Sequence, residues 1–190
     1  GYIGIEDNKP EAIKSMREAC NGESDIEVVA LETKYPQGQE HQIITGITGR
    51  EIPSGGLPMD IGLCVHKIAT VIAISKAVRQ GMPQIERVLT ITGDGVERPG
   101  NLLVRGGTSI DELLQSRGLK DNARKLLLGG PMMGAAQYST DLPTLKATSG
   151  LLVMTDVALY ESEQCIRCGE CVAHCPMRLV PSRLSILCEA

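Results

Sequence analysis

Four cysteines crowded into eleven residues constrain this chain more than any other feature: Cys165-Ile-Arg-Cys168-Gly-Glu-Cys171-Val-Ala-His-Cys175, followed at once by Pro176. Thiols this close cannot pair with one another without straining the geometry a disulfide demands. The total of seven cysteines is odd, so a reducing compartment and a metal site explain the cluster better than a disulfide framework does.

The spacing C-x₂-C-x₂-C-x₃-C-P is the one used for iron–sulfur ligation in bacterial ferredoxins. Two-residue gaps bend the backbone around one face of a cube. Cys165, Cys168 and Cys171 are therefore the expected thiolates of one [4Fe–4S] cluster, with Gly169 giving the tight loop its freedom. In two-cluster ferredoxins the fourth cysteine of such a run serves the other cluster. Cys175 is accordingly expected to face a second [4Fe–4S] cluster, with Pro176 turning the chain away. Only Cys188 follows, so the ligand set of both clusters is expected to be incomplete in this chain. A tetrahedral zinc site is the competing reading, although zinc ligands more often come as two separated cysteine knuckles. His174 is expected to be a bystander, and Cys20 and Cys64 small buried hydrophobes.

Composition removes other classes. A net charge of -4, no Trp, no Phe and four Tyr leave little to attract phosphate or stack on bases, so nucleic acid is not an expected partner. The longest apolar stretch, Ile68 to Ser75, is bounded by Lys67 and Lys76 and is too short to span a bilayer. The start, Gly1-Tyr-Ile-Gly-Ile-Glu-Asp7, has no initiator Met and no basic-then-apolar leader, and reads as a cut edge.

The order of elements predicts an α/β (α+β) fold. Ile3 to Ile5 and Ile26 to Leu31 read as strands flanking a helix over Glu11 to Cys20, introduced by Asn8, Lys9 and Pro10 and stopped by Asn21-Gly22. Tyr35 to Met59 is dense in Gly and Pro and reads as long shaped loops. Val65 to Arg79 reads as a largely buried helix ending at Gly81. Beyond it, Arg87 to Thr92 and Asn101 to Arg105 read as strands, Thr108 or Ser109 as the cap of a helix through Ser116, and Lys125 to Leu128 and Leu151 to Thr155 as further strands. Gly129-Gly-Pro-Met-Met-Gly134 is a tight turn after a strand. It lacks the Lys-Ser/Thr pair of a Walker loop, and Pro131 removes an amide from any anion nest there.

Lys34-Tyr-Pro-Gln-Gly38, Thr90-Ile-Thr-Gly93 with Arg98-Pro-Gly100, Gly129 to Gly134 and Cys165 to Pro176 occur in one fixed order. The chain thereby resembles the C-subunit of the Rnf ion-translocating complex, over essentially its whole length. That family is similar to the flavin-bearing, NADH-binding component of respiratory complex I and to the cobalamin reductase of propanediol microcompartments, which stays open as an alternative. A third reading, from another class, is a β-grasp binding module stabilised by zinc.

The resemblance implies four parts: residues 1–85 as part of a flavin/NADH-binding α/β domain, 86–128 as a soluble-ligand-binding (SLBB) β-grasp domain, 129–158 as a return to the α/β domain, and 159–190 as the first half of a ferredoxin-like 4Fe-4S domain. It implies FMN and two [4Fe–4S] clusters in the parent protein. By the same resemblance Tyr35, Gly38 and Glu40 lie near flavin and nicotinamide, and Lys67 stands where relatives place an asparagine on the flavin phosphate. The family's glycine-rich flavin loop lies upstream of Gly1, so the chain alone is expected neither to bind FMN nor to be active. The parent is expected at the cytoplasmic face of a bacterial membrane, as a peripheral partner of other redox-complex subunits. There it would act in an NAD:ferredoxin oxidoreductase that passes electrons between NAD(H) and 4Fe-4S clusters, coupled to ion translocation.

Overall fold

A computed structural model describes residues 1–157, 164–175 and 178–189. The chain divides into two units, Gly1–Val65 with Gln164–Ala190, and His66–Glu163.

In the first unit β1 (Tyr2–Glu6) and β2 (Glu27–Leu31) run parallel, with Gly4 opposite Val29, and α1 (Pro10–Ala19) connects them. Pro10 fits the first turn of α1 because its missing N–H has no intrahelical partner there, and Ile13 is the residue α1 buries. The loop expected after Tyr35 contains a helix, α2 (Glu40–Thr48). Gln39 caps it: its side-chain carbonyl accepts from the amides of His41 at 2.8 Å and Gln42 at 3.2 Å. Gly49, left-handed at φ 68°, ends it. The β-branched residues and Gly46 lower helix propensity here, which is why the stretch reads as loop; packing decides otherwise. A Cβ on Gly4 would lie 2.9 Å from Ile43 and 3.1 Å from Ile47, so glycine lets α2 lie close against β1. A single 3₁₀ turn, Pro58–Ile61, follows. The unit closes with the short α5 (Glu170–Ala173) and α6 (Pro181–Glu189).

The second unit begins with α3 (Ile68–Gln80), ended by left-handed Gly81 as expected. Its burial departs from expectation, because no residue of α3 is buried and Val78 is 80% exposed. A helix apolar on every side calls for cover all round. Among the described residues, only Ala69, Ile72, Ala73 and Lys76 line a shallow groove with the 82–88 stretch and Leu103.

Five strands form one sheet in the order β4-β3-β7-β5-β6. They are β3 (Glu86–Thr92), β4 (Gly100–Arg105), β5 (Lys125–Leu128), β6 (Ala135–Gln137) and β7 (Gly150–Met154). β3 pairs antiparallel with β4 and parallel with β7, and β5 runs antiparallel to both β6 and β7. The period of two along β3 turns Leu89 and Ile91 inward and Val88 outward. With Val104, Leu126, Leu151 and Val153, and with Ile110 and Leu114 from α4 (Ile110–Ser116), they build the core. Each fully buried aliphatic side chain contributes roughly 1.5–3 kcal/mol. Ser109 occupies the cap position of α4 without a side-chain capping bond.

Residues 129–158 are expected as a return to the first domain; the described ones, 129–157, supply β6 and β7 to this same sheet. The Gly129–Gly134 turn joins β5 to β6 as a hairpin, with the Gly134 amide on the Gly130 carbonyl at 2.7 Å. β6 escapes the sequence because Ala135-Ala-Gln137 has no β-branched or aromatic residue. The lead into the cysteines, Tyr160 to Glu163, and Pro176 lie outside the described residues.

Candidate functional site

The thiols lie on a short loop and the helical turn that follows it. Between Cys165 and Cys168, Arg167 is left-handed at φ 59°, and Gly169 is left-handed at φ 81°. The Gly169 carbonyl then accepts from Val172 at 2.9 Å and Ala173 at 3.0 Å, starting α5 and carrying Cys171 on it. Cys165, Cys168 and Cys171 are exposed, Cys175 is half-buried, and none of the four forms a disulfide. Among the described residues no three His, Cys, Asp or Glu side chains converge on one metal position. The fit to an iron–sulfur group therefore rests on donor chemistry, a run of accessible thiols on a chain bent by two left-handed residues. His174 faces its own helix: its Nδ1 lies 3.3 Å from Glu170 Oε2 and 3.0 Å from the Glu170 carbonyl oxygen. Cys64 is exposed and Cys20 half-buried, which corrects the expectation that both are buried.

Two contacts after Cys175 have no counterpart in the sequence pattern. The Leu179 amide donates to Cys175 Sγ at 3.4 Å. Arg178, left-handed at φ 53°, donates from its guanidinium to Glu51 Oε1 at 2.7 Å. The partners stand 127 positions apart, and no local pattern could have signalled the pair.

The flavin-linked candidates fall in both units. Tyr35, 63% exposed, precedes a cis peptide bond to Pro36. The Gln37 amide closes a turn onto the Lys34 carbonyl and that of Gln39 onto Pro36. Gly38 is open, with no atom within 4 Å of a Cβ placed there, and Glu40 opens α2. These three lie within six positions on one turn-and-helix start. Lys67, the exposed N-cap residue of α3, belongs to the second unit.

Comparison with known proteins supplies the class. Residues 1–76 match the family model of the Nuo51 FMN-binding domain and residues 88–136 that of the SLBB domain. The chain thus joins a segment like an FMN-binding domain to one like an SLBB domain. The chain is 50% identical over 189 residues to the C-subunit of the proton-translocating ferredoxin:NAD(+) oxidoreductase complex of Clostridium ljungdahlii, covering 98% of this chain and 41% of that protein. It is 42% identical to the C-subunit of the Na(+)-translocating complex of Acetobacterium woodii, over 97% of this chain and 42% of that protein. With the C-subunit of the ion-translocating oxidoreductase complex of Yersinia pestis the identity is 44%, over 96% of this chain and 30% of that protein. The chain belongs to the family of Rnf C-subunits, and spans less than half the length of these relatives. Among the described residues no helix is long and apolar enough to cross a membrane.

Proposed function

We propose that this chain is the part of an Rnf-type C-subunit that passes electrons between a flavin and iron–sulfur clusters. One observation carries the reading: Cys165, Cys168, Cys171 and Cys175 stand at ferredoxin spacing and outside any disulfide, the first three of them exposed. Cys165, Cys168 and Cys171 hold one [4Fe–4S] cluster and Cys175 contributes to a second, with the remaining thiolates supplied from elsewhere in the longer protein. A cluster so bound supplies one-electron transfer with little rearrangement of its ligands. Exposure of the three thiols leaves them open to that partner segment, and left-handed Arg167 and Gly169 fold the backbone between them.

Tyr35, Gly38 and Glu40 form the flavin-facing surface. A phenol ring offers a stacking face, Gly38 lets a ring approach the backbone, and Glu40 adds an acceptor. Lys67 offers a cation to the flavin phosphate. NAD(H) is the hydride partner, the other members of the complex are the docking partners, and the cytoplasmic membrane face is the location. The family membership and the match to an FMN-binding domain support this assignment.

The test is iron and acid-labile sulfide analysis of the full-length protein, purified without oxygen, with Cys168→Ser alongside. Loss of one cluster's iron in the variant supports the assignment. Iron unchanged by the substitution removes Cys168 from the ligand set, and a colourless protein with stoichiometric zinc selects the zinc-module reading.

A further inference from the structure

Arg178 adopts a left-handed backbone at φ 53°, a conformation a non-glycine residue keeps only where its surroundings impose it. Two bonds accompany it here: its amide donates to the Cys175 carbonyl oxygen at 3.1 Å, and its guanidinium donates to Glu51 Oε1 at 2.7 Å. The next amide, that of Leu179, donates to Cys175 Sγ at 3.4 Å.

We propose that Glu51 and Arg178 are positioning residues whose ion pair ties the stretch after Cys175 to the 49–57 loop, aims the Leu179 amide at the Cys175 sulfur and so tunes that sulfur as an electron-relay ligand. This rests on the reading of Cys175 as a cluster ligand. Both side chains are well exposed, at 80% and 61%, and exposed pairs add little to global stability. What such a pair can set is local register. Glu51 comes from the residues that match the FMN-binding domain and Arg178 from the thiol segment, so the bond ties the sulfur donors to the flavin-type segment. An amide pointed at a ligand sulfur stabilises the more negative charge state, and hydrogen bonds to sulfur are among the levers on cluster potential. With Glu51 beside it, the Arg178 cation is largely compensated. That leaves amide direction as the larger effect.

The experiment uses the full-length protein reconstituted anaerobically, as wild type, Glu51→Gln, Arg178→Gln and the exchange Glu51→Arg with Arg178→Glu. Hydrogen exchange of the Leu179 amide and EPR-monitored redox titration are the readouts. Both single variants are expected to speed Leu179 exchange roughly two- to fivefold, the equivalent of an exposed ion pair. Both are expected to move one cluster potential in the same negative direction, and the charge exchange to restore both readouts. Potential shifts of opposite sign with unchanged Leu179 exchange mean a bare charge effect and overturn the proposal, as does no change in either readout. Amide exchange is read whether or not iron is bound. A protein that binds no iron therefore sinks the cluster reading, while the exchange data still decide the clamp.

Discussion

Asp94 takes both hydrogen bonds that Thr155 can give, its Oδ1 accepting from the Thr155 amide at 2.9 Å and its Oδ2 from the hydroxyl. Asp94 lies just beyond β3 and Thr155 just beyond β7, the parallel neighbour of β3. The same device closes the other parallel pair. Asp7, after β1, accepts from the amide of Thr33 at 3.1 Å and its hydroxyl at 2.5 Å, after β2. An Asp-to-Thr latch thus ties off the carboxyl end of each parallel strand pair.

Both latches are acid-sensitive. The Thr155 hydroxyl, aided by the Thr155 amide, holds the Asp94 carboxyl below the usual carboxylate range, and the Thr33 hydroxyl does the same for Asp7. A carboxylate whose folded pKa is depressed stabilises the fold above its unfolded pKa, and that contribution is lost as pH falls through the folded value. Stability should therefore fall below about pH 4. Asp94→Asn should lower the neutral-pH urea midpoint and, because the contribution it removes is already lost in acid, flatten that acid limb, as followed by urea unfolding across the pH series. An acid limb as steep in the variant as in the wild type would remove Asp94 from the account.

The buried sheet and the exposed helix should respond to truncation in opposite ways. Leu151 is fully buried on β7, between β3 and β5, so Leu151→Ala should cost about 2–5 kcal/mol. Val78, 80% exposed on α3, should tolerate Val78→Ala within about 0.5 kcal/mol. Chemical denaturation of both variants of this chain checks the pair. A large loss at Val78 would mean that something covers α3 in solution.

Gly93 and Gly22 separate backbone preference from steric contact. Both are left-handed, at φ 111° and φ 92°. A Cβ on Gly22 meets nothing within 4 Å, whereas one on Gly93 falls on the Val153 carbonyl oxygen. Gly22→Ala should therefore cost only the conformational term, about 1–2 kcal/mol. Gly93→Ala should cost clearly more and loosen the β3–β7 edge, seen as faster exchange of the Gly95 amide, which bonds the Val153 carbonyl at 3.1 Å.

What could be read in advance followed how local its cause is. The strands around Leu89 and Leu151 and the stop at Gly81 depend on nearest neighbours, and the structure has them where periodicity and breakers put them. The cysteine run is a local pattern as well, and the structure places left-handed Arg167 and Gly169 within it. Helix α2 was not legible, because Gly46 and its β-branched neighbours argue against it and only packing of Ile43 and Ile47 over Gly4 explains it. Nor was the exposure of α3, since an apolar helix does not record what covers it. The Glu51–Arg178 bond depends on a chain reversal that no window of residues contains.

Lys67 offers the sharpest test of the flavin assignment, because its charge can serve only one part of the ligand. It caps α3 without a side-chain hydrogen bond of its own as cap, at the helix end where a cation gains nothing from the dipole. A lysine held there for a phosphate would contribute a charge-assisted bond of roughly 1.5–3 kcal/mol. In the full-length protein Lys67→Gln should then weaken FMN about tenfold to a hundredfold. Riboflavin, which has the same ring and no phosphate, should bind the variant and the wild type alike. Titration by flavin fluorescence quenching reads both ligands. Equal weakening of the two would place Lys67 near the ring or in the fold, and no change in either would make it an ordinary surface cation.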